Sequence, residues 1–367
     1  MVSPIFLSKP SEEFSALALL RGAQLGLLGE YRSLQNPALF RFEICKIAIQ
    51  AVEVSLLLQV SQWLFLYAFS IGLRLLSIWV GWNFSLEGQQ WYHVGMNLLL
   101  VSFVRVFWFR KYLDHIFLKS MKFLDEKYHS IYYERLESFT NVVSSDQFSS
   151  NNASLWNKIR DQFNESPETR NFLKDGLSYL VSCFVLHFLC IKYEWLGPLV
   201  LTFVFFRILD DKVGSISALV IALIISHFPS NFSLLILMYY WGGYNLSCGL
   251  LSPYFDRINL SKREKVQWTK SRGGILLGFG LFHLFLINTF PWLSIMIDLA
   301  AQTSVAYLVS KLTDPPPQKT SQLIDWNLTQ LVLDKEKQFY ALNGSFILEE
   351  DFFPFPGSSL IYPPSIS

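Results

Sequence analysis

Between Lys46 and Lys311 one apolar run follows another, too many for a water-soluble core to hide. The runs fall at 47–80, 91–109, 177–191, 195–209, 213–228, 232–248 and 274–310. The solvent they fit is a bilayer. Composition agrees: 51% of residues are hydrophobic and only 16% charged, against about 25% in ordinary globular proteins. The expected fold class is all-α, a polytopic helical membrane protein with one long first transmembrane helix and several short helical hairpins.

The first run, Ile47 to Val80, covers 34 positions, more than a hydrocarbon core of about 30 Å needs. It forms either one long tilted helix or two short ones turning near Ser61 and Gln62. Charge placement favours the first. With a single crossing, segments 1–46, 110–174, 206–212, 257–272 and 311–367 share one side and hold 27 of the chain's 30 Lys and Arg residues. Lys192 alone falls opposite, while Arg74 and Arg105 lie within spans. The positive-inside rule then predicts both termini in the cytosol.

The remaining divisions follow from this count. Residues 1–46 read as an amphipathic cytosolic region, with Leu17, Leu20, Leu27, Leu28 and Leu34 at near-helical spacing for a helix lying on the membrane. Residues 47–109 form a first transmembrane pair around the polar gap 81–90, and Trp79, Trp82 and Trp91 make an interfacial belt. Residues 110–174 are a cytosolic, partly helical loop with a Ser/Asn-rich linker. Residues 175–250 carry runs of only about 15 to 17 residues, short or re-entrant hairpins at the lower limit of a crossing. A basic cytosolic segment, 251–273, precedes the final membrane hairpin 274–310, whose break falls between Thr289 and Trp292. The tail, 311–367, is polar, Pro-rich at its end and expected to be largely disordered. The amino terminus has no signal-peptide pattern, so the first span is expected to direct insertion.

Little in the chain suggests chemistry. The six histidines include no pair at i, i+3 or i, i+4 spacing, and no zinc-protease, nucleophile-elbow, Walker or dinucleotide pattern occurs. The four cysteines have no CxxC spacing and suit buried thiols. No catalytic residue, metal site or cofactor is expected. Asp210 and Asp211 read as a solvated helix cap. The glycines between Arg272 and Gly280 enter a membrane helix and suit close helix packing rather than phosphate binding. The sequons at Asn83 and Asn231 would face the lumen close to the membrane, where glycan occupancy is not expected.

Ionisable groups within spans are expensive in hydrocarbon and mark candidate functional positions. Glu53, Arg74 and Arg105 lie near span ends and can snorkel. His283 and Asp298 sit on the two arms of the last hairpin and are expected to approach one another, as a polar lock or as a proton or ion relay. Arg105, His283 and Asp298 are therefore the candidate intramembrane polar residues. The candidate contacts to anionic lipid headgroups are Arg257, Lys262, Arg263, Lys265, Lys270 and Arg272, with fixing of orientation as the simpler role for the same charges.

Two passages carry a resemblance: Arg21 through Phe40, and Pro253 through Gly278 and Gly280 to Pro317. They resemble a family of fungal multi-pass proteins, the UsgS-type transmembrane proteins. More distantly, a basic segment followed by a closing hairpin is similar to the CysZ and etoposide-induced membrane protein superfamily. The resemblance implies residence in the endoplasmic reticulum or connected endomembranes and no catalytic residues. The expected partners are the lipid bilayer and, for the basic segment, anionic headgroups; a net charge of +1 gives no indication of nucleic acid. The function expected is non-enzymatic, in membrane organisation or scaffolding; the alternative is a solute or ion transporter or channel with a polar path near the last hairpin.

Overall fold

The computed structural model describes residues 14–40, 42–80, 90–105, 110–138, 167–193, 196–258 and 260–317. Among the described residues the chain is entirely helical. The helices are α1 (Ala16–Leu34), α2 (Phe42–Val80), α3 (Gln90–Val104), α4 (Arg110–Tyr128), α5 (Tyr132–Ser138), α6 (Pro167–Lys192) and α7 (Leu196–Val213). Then come α8 (Ser215–Ser226), α9 (Ser230–Leu250), α10 (Ser252–Ile258), α11 (Lys262–Ser271), α12 (Gly273–Thr289) and α13 (Ser294–Leu312). Single 3-10 turns cover Pro37–Phe40 and Pro291–Leu293. The Ser/Asn-rich linker, the 81–89 part of the polar gap and the tail beyond Pro317 lie outside the described residues.

Helix α1, read from the sequence as a membrane-surface helix, packs one face on the two arms of the closing hairpin. The helix starts on Ser15, whose Oγ accepts from the Ala18 N–H at 3.1 Å. Its buried stripe is Ala18, Arg21, Gly22, Leu25, Gly26, Leu28, Gly29 and Arg32, and it packs between α12 and α13. Glycine makes that approach possible. A Cβ on Gly22 would stand 2.0 Å from the Ile275 carbonyl oxygen, and one on Gly278 would stand 1.9 Å from the Leu19 carbonyl oxygen. The two backbones are therefore in direct contact, as small residues permit between membrane helices. Leucines occupy both faces of α1: Leu25 and Leu28 are buried, while Leu20, Leu27 and Leu34 remain exposed. Their spacing identified a helix without identifying which face meets a neighbour.

The closing hairpin breaks where proline dictates. Phe290 ends α12, Pro291 opens the 3-10 turn, and α13 returns through the core. At the other end α11 meets α12 at 82° across Arg272. Two helical stretches are long and apolar enough to cross a membrane, Ala48–Gly72 and Pro291–Leu312; the bent pair α11 and α12 makes a third if it forms one span. They are placed very differently. Of the Pro291–Leu312 window 72% is buried inside the protein, against 12% for Ala48–Gly72. Helix α2 extends over Phe42–Val80, and within it Ser61 Oγ donates to the Leu58 carbonyl at 2.8 Å. Its exposed side presents Leu56, Leu57, Val60, Trp63, Leu64 and Phe65. An apolar patch of that extent marks a face covered by lipid or protein.

The hairpin α7–α8 turns sharply at Gly214, which has φ of +82°. With 12 residues, α8 is about 18 Å long and too short to traverse a hydrocarbon core. In the Asn231 sequon the Ser233 hydroxyl is buried and donates to the Ile225 carbonyl at 2.8 Å.

Candidate functional site

The candidate polar residues fall into two separate clasps. Arg105 directly follows α3 and Asp298 lies one turn into α13, so the ends of two helices bring them together. The guanidinium grips the carboxylate with two hydrogen bonds, Nε to Oδ2 at 2.9 Å and Nη2 to Oδ1. Asp298 is 2% exposed and Arg105 9%, so Arg105 is buried and paired rather than snorkelling. Its Nη1 reaches the α9 backbone, where a Cβ on Gly249 would stand 2.9 Å away. Four residues along α13, Gln302 Nε2 donates to the Leu250 carbonyl at 2.9 Å. The α3, α9 and α13 elements thus converge on one buried charge pair.

His283 does not meet Asp298, contrary to the expectation for the two hairpin arms. Its Nε2 lies 3.0 Å from Glu30 Oε1 and its Nδ1 lies 2.9 Å from the Phe279 carbonyl oxygen. Because the α1–α12 contact is so close, Glu30 reaches the fully buried ring from the neighbouring helix. Beside it Ser304 Oγ donates to the Gly26 carbonyl at 3.1 Å, and Ser33 shares a short hydroxyl contact with Thr303. Both arms of the hairpin are fastened to α1, and α13 is fastened to Arg105 at the end of α3 as well. Glu53 and Arg74 are exposed on α2.

A third polar line was not anticipated. Gln59 on α2 donates to Asn97 on α3 at 3.3 Å; Asn97 donates to Asn288 on α12 at 3.0 Å, and Asn288 closes on the Leu284 carbonyl at 2.8 Å. Ser55 on α2 accepts from the Ile295 N–H at 3.1 Å, capping a free donor at the start of α13. Neutral amides and hydroxyls carry no charge signature, so a search for ionisable groups passes over them. The glycines were more legible. Gly22 and Gly26, like Gly274 and Gly278, have the small-xxx-small spacing of close-packed membrane helices.

The basic segment divides. Arg257 is buried and holds Asp114 of α4 with both terminal nitrogens, at 2.6 and 2.7 Å. Arg272 is buried with its guanidinium 4.3 Å from the Trp268 ring centre. These two of the six candidate headgroup contacts therefore face the interior. Lys262, Arg263 and Lys270 are exposed beside Val266, and Lys265 lies 4.0 Å from Asp256. The helix that presents them begins with a capping box between Ser261 and Glu264.

Two other groups are tuned by burial. Burial lowers the Arg21 guanidinium to about 10, opposed by Tyr307, which leaves it a cation at neutral pH. Burial above all pushes the Tyr132 phenol well beyond its usual range, so it stays a neutral donor, bonded to the Thr313 carbonyl. Among the described residues no three His, Cys, Asp or Glu side chains gather to hold a metal ion.

No protein-family model, curated protein or solved structure matches the chain.

Proposed function

We propose that the chain is an integral protein of the endoplasmic reticulum or connected endomembranes that organises the membrane as a non-enzymatic helical scaffold. One observation carries the reading: the ionisable groups expected to line a polar path close on protein partners, Arg105 on Asp298 and His283 on Glu30. A relay or conduction path needs such groups open to water or substrate. A cavity of about 430 Å³ between α2 and α3, lined by Gln59, Gln62 and Tyr92 among others, touches none of Arg105, His283 or Asp298. The apolar exposed face of α2 supports membrane residence, and the exposed Lys262, Arg263 and Lys270 support contact with anionic headgroups at the cytosolic surface. The resemblance to UsgS-type proteins supports an endomembrane address.

Two measurements test this. Protein reconstituted into sealed liposomes is expected to pass ions and small solutes no faster than protein-free liposomes. A flux that disappears in Asp298→Asn would replace the scaffold with a transporter. In sealed microsomes, tags placed in the 139–166 segment and after Ser321 are both expected to be cut by added protease. Protection of the 139–166 tag while the tag after Ser321 is cut overturns this topology.

A further inference from the structure

The cavity between α2 and α3 has the makings of a lipid site. Its walls are Trp63, Leu66 and Tyr67 of α2 and Tyr92 of α3, with Gln59 and Gln62 at the polar side. Trp63 and Tyr67 stack, with ring centres 5.7 Å apart and planes 12° from parallel, and both are more than half exposed outward. Gln62 is only 5% exposed, and its buried Oε1 has no hydrogen-bond partner. An amide oxygen left dry and unpaired is destabilising, which favours any ligand that can donate to it once the side chain turns toward the cavity.

The lining also limits what that ligand can be. None of the described lining residues is Lys, Arg, Asp or Glu. A phosphate would meet no Lys or Arg, only the His93 imidazole, and an ammonium would lack a carboxylate; either charge is costly in an apolar wall. The volume of about 430 Å³ lies within the range of small-molecule pockets, roughly 300–1,000 Å³. If α2 crosses the bilayer from Ala48 to Gly72, Gln62 lies about 15 Å from its far end, within the hydrocarbon. A partner must then arrive through the lipid.

We infer that the α2–α3 cavity binds an uncharged lipid bearing a free hydroxyl, which donates to Gln62 Oε1 while its apolar body packs on Trp63, Leu66 and Tyr92. Sterols and diacylglycerol-type lipids share this chemistry. The inference rests on the membrane reading of α2.

The test uses the full chain in phosphatidylcholine nanodiscs, labelled with a photoactivatable sterol in one arm and a photoactivatable diacylglycerol in the other. Saturable labelling by at least one probe is expected on peptides containing residues 59–70 or 92–93. Gln62→Leu, close in volume, is expected to weaken binding about tenfold. Leu66→Trp, which fills the cavity and keeps Gln62, is expected to do the same, with both variants monodisperse and melting like the parent. Absence of saturable labelling by both probes overturns the site, as does labelling that neither substitution weakens or that excess phosphatidylserine displaces. Extraction of the protein from membranes by alkaline carbonate would instead sink the membrane reading. A carbonate-resistant protein without labelling sinks the cavity alone.

Discussion

Gly278→Ala is expected to leave little folded protein, although it adds a single methyl group. That carbon would lie 1.9 Å from the Leu19 carbonyl oxygen and 2.7 Å from its carbonyl carbon, so the obstacle is backbone and no rotamer change relieves it. Helix α1 would have to move off α12, and Gly22, whose own Cβ would stand 2.0 Å from the Ile275 oxygen, leaves no slack on the opposite side. Overpacking in ordinary cores costs about 1–3 kcal/mol; here the cost should be about 3 kcal/mol or more, a large part of a typical stability of about 5–15 kcal/mol. The monodisperse yield and melting temperature of purified protein report it. Gly72→Ala is the control, since nothing lies within 4 Å of its Cβ and alanine is the better helix former by about 1 kcal/mol. Equal melting of the two variants would mean that α1 does not sit against α12.

Asp298→Leu is the second large effect. It strands the Arg105 guanidinium in a site where the native carboxylate is 2% exposed, and breaking a buried pair from one side costs about 3–5 kcal/mol. Arg105→Met combined with Asp298→Leu should regain most of that loss, because a matched apolar pair removes the desolvation of both charges. Comparing the melting temperatures of parent, single and double variants completes a mutant cycle. A double variant as unstable as the single would show that the carboxylate serves something other than Arg105.

These two contacts also mark the border of what the amino-acid sequence discloses. Helices are legible because apolar runs must satisfy their own backbone, and the turn at Pro291 is legible because proline cannot continue α12. The glycines after Arg272 likewise announce close packing. Partnership is not encoded so locally. Arg105 and Asp298 are 193 residues apart, and nothing in either neighbourhood selects the other over His283. The positive segment divides for a related reason: counting cations at 257–272 ignores the acids available to them, and Asp114 draws Arg257 inward from a helix more than a hundred positions earlier. On α1 leucines occupy both faces, so hydrophobic periodicity alone could not choose between lying on lipid and lying in the core.

The position of α1 also sets a schedule. It is made early, yet Glu30 must wait for His283, 253 residues later. At about 5–20 residues per second that interval is roughly 13 to 50 s, during which the glycine face of α1 has no native neighbour. The earlier helices must therefore form before that face is covered. The glycine face of α1 can dock only after α12 is made, and a chain arrested before α12 would display it as a mark of incompleteness.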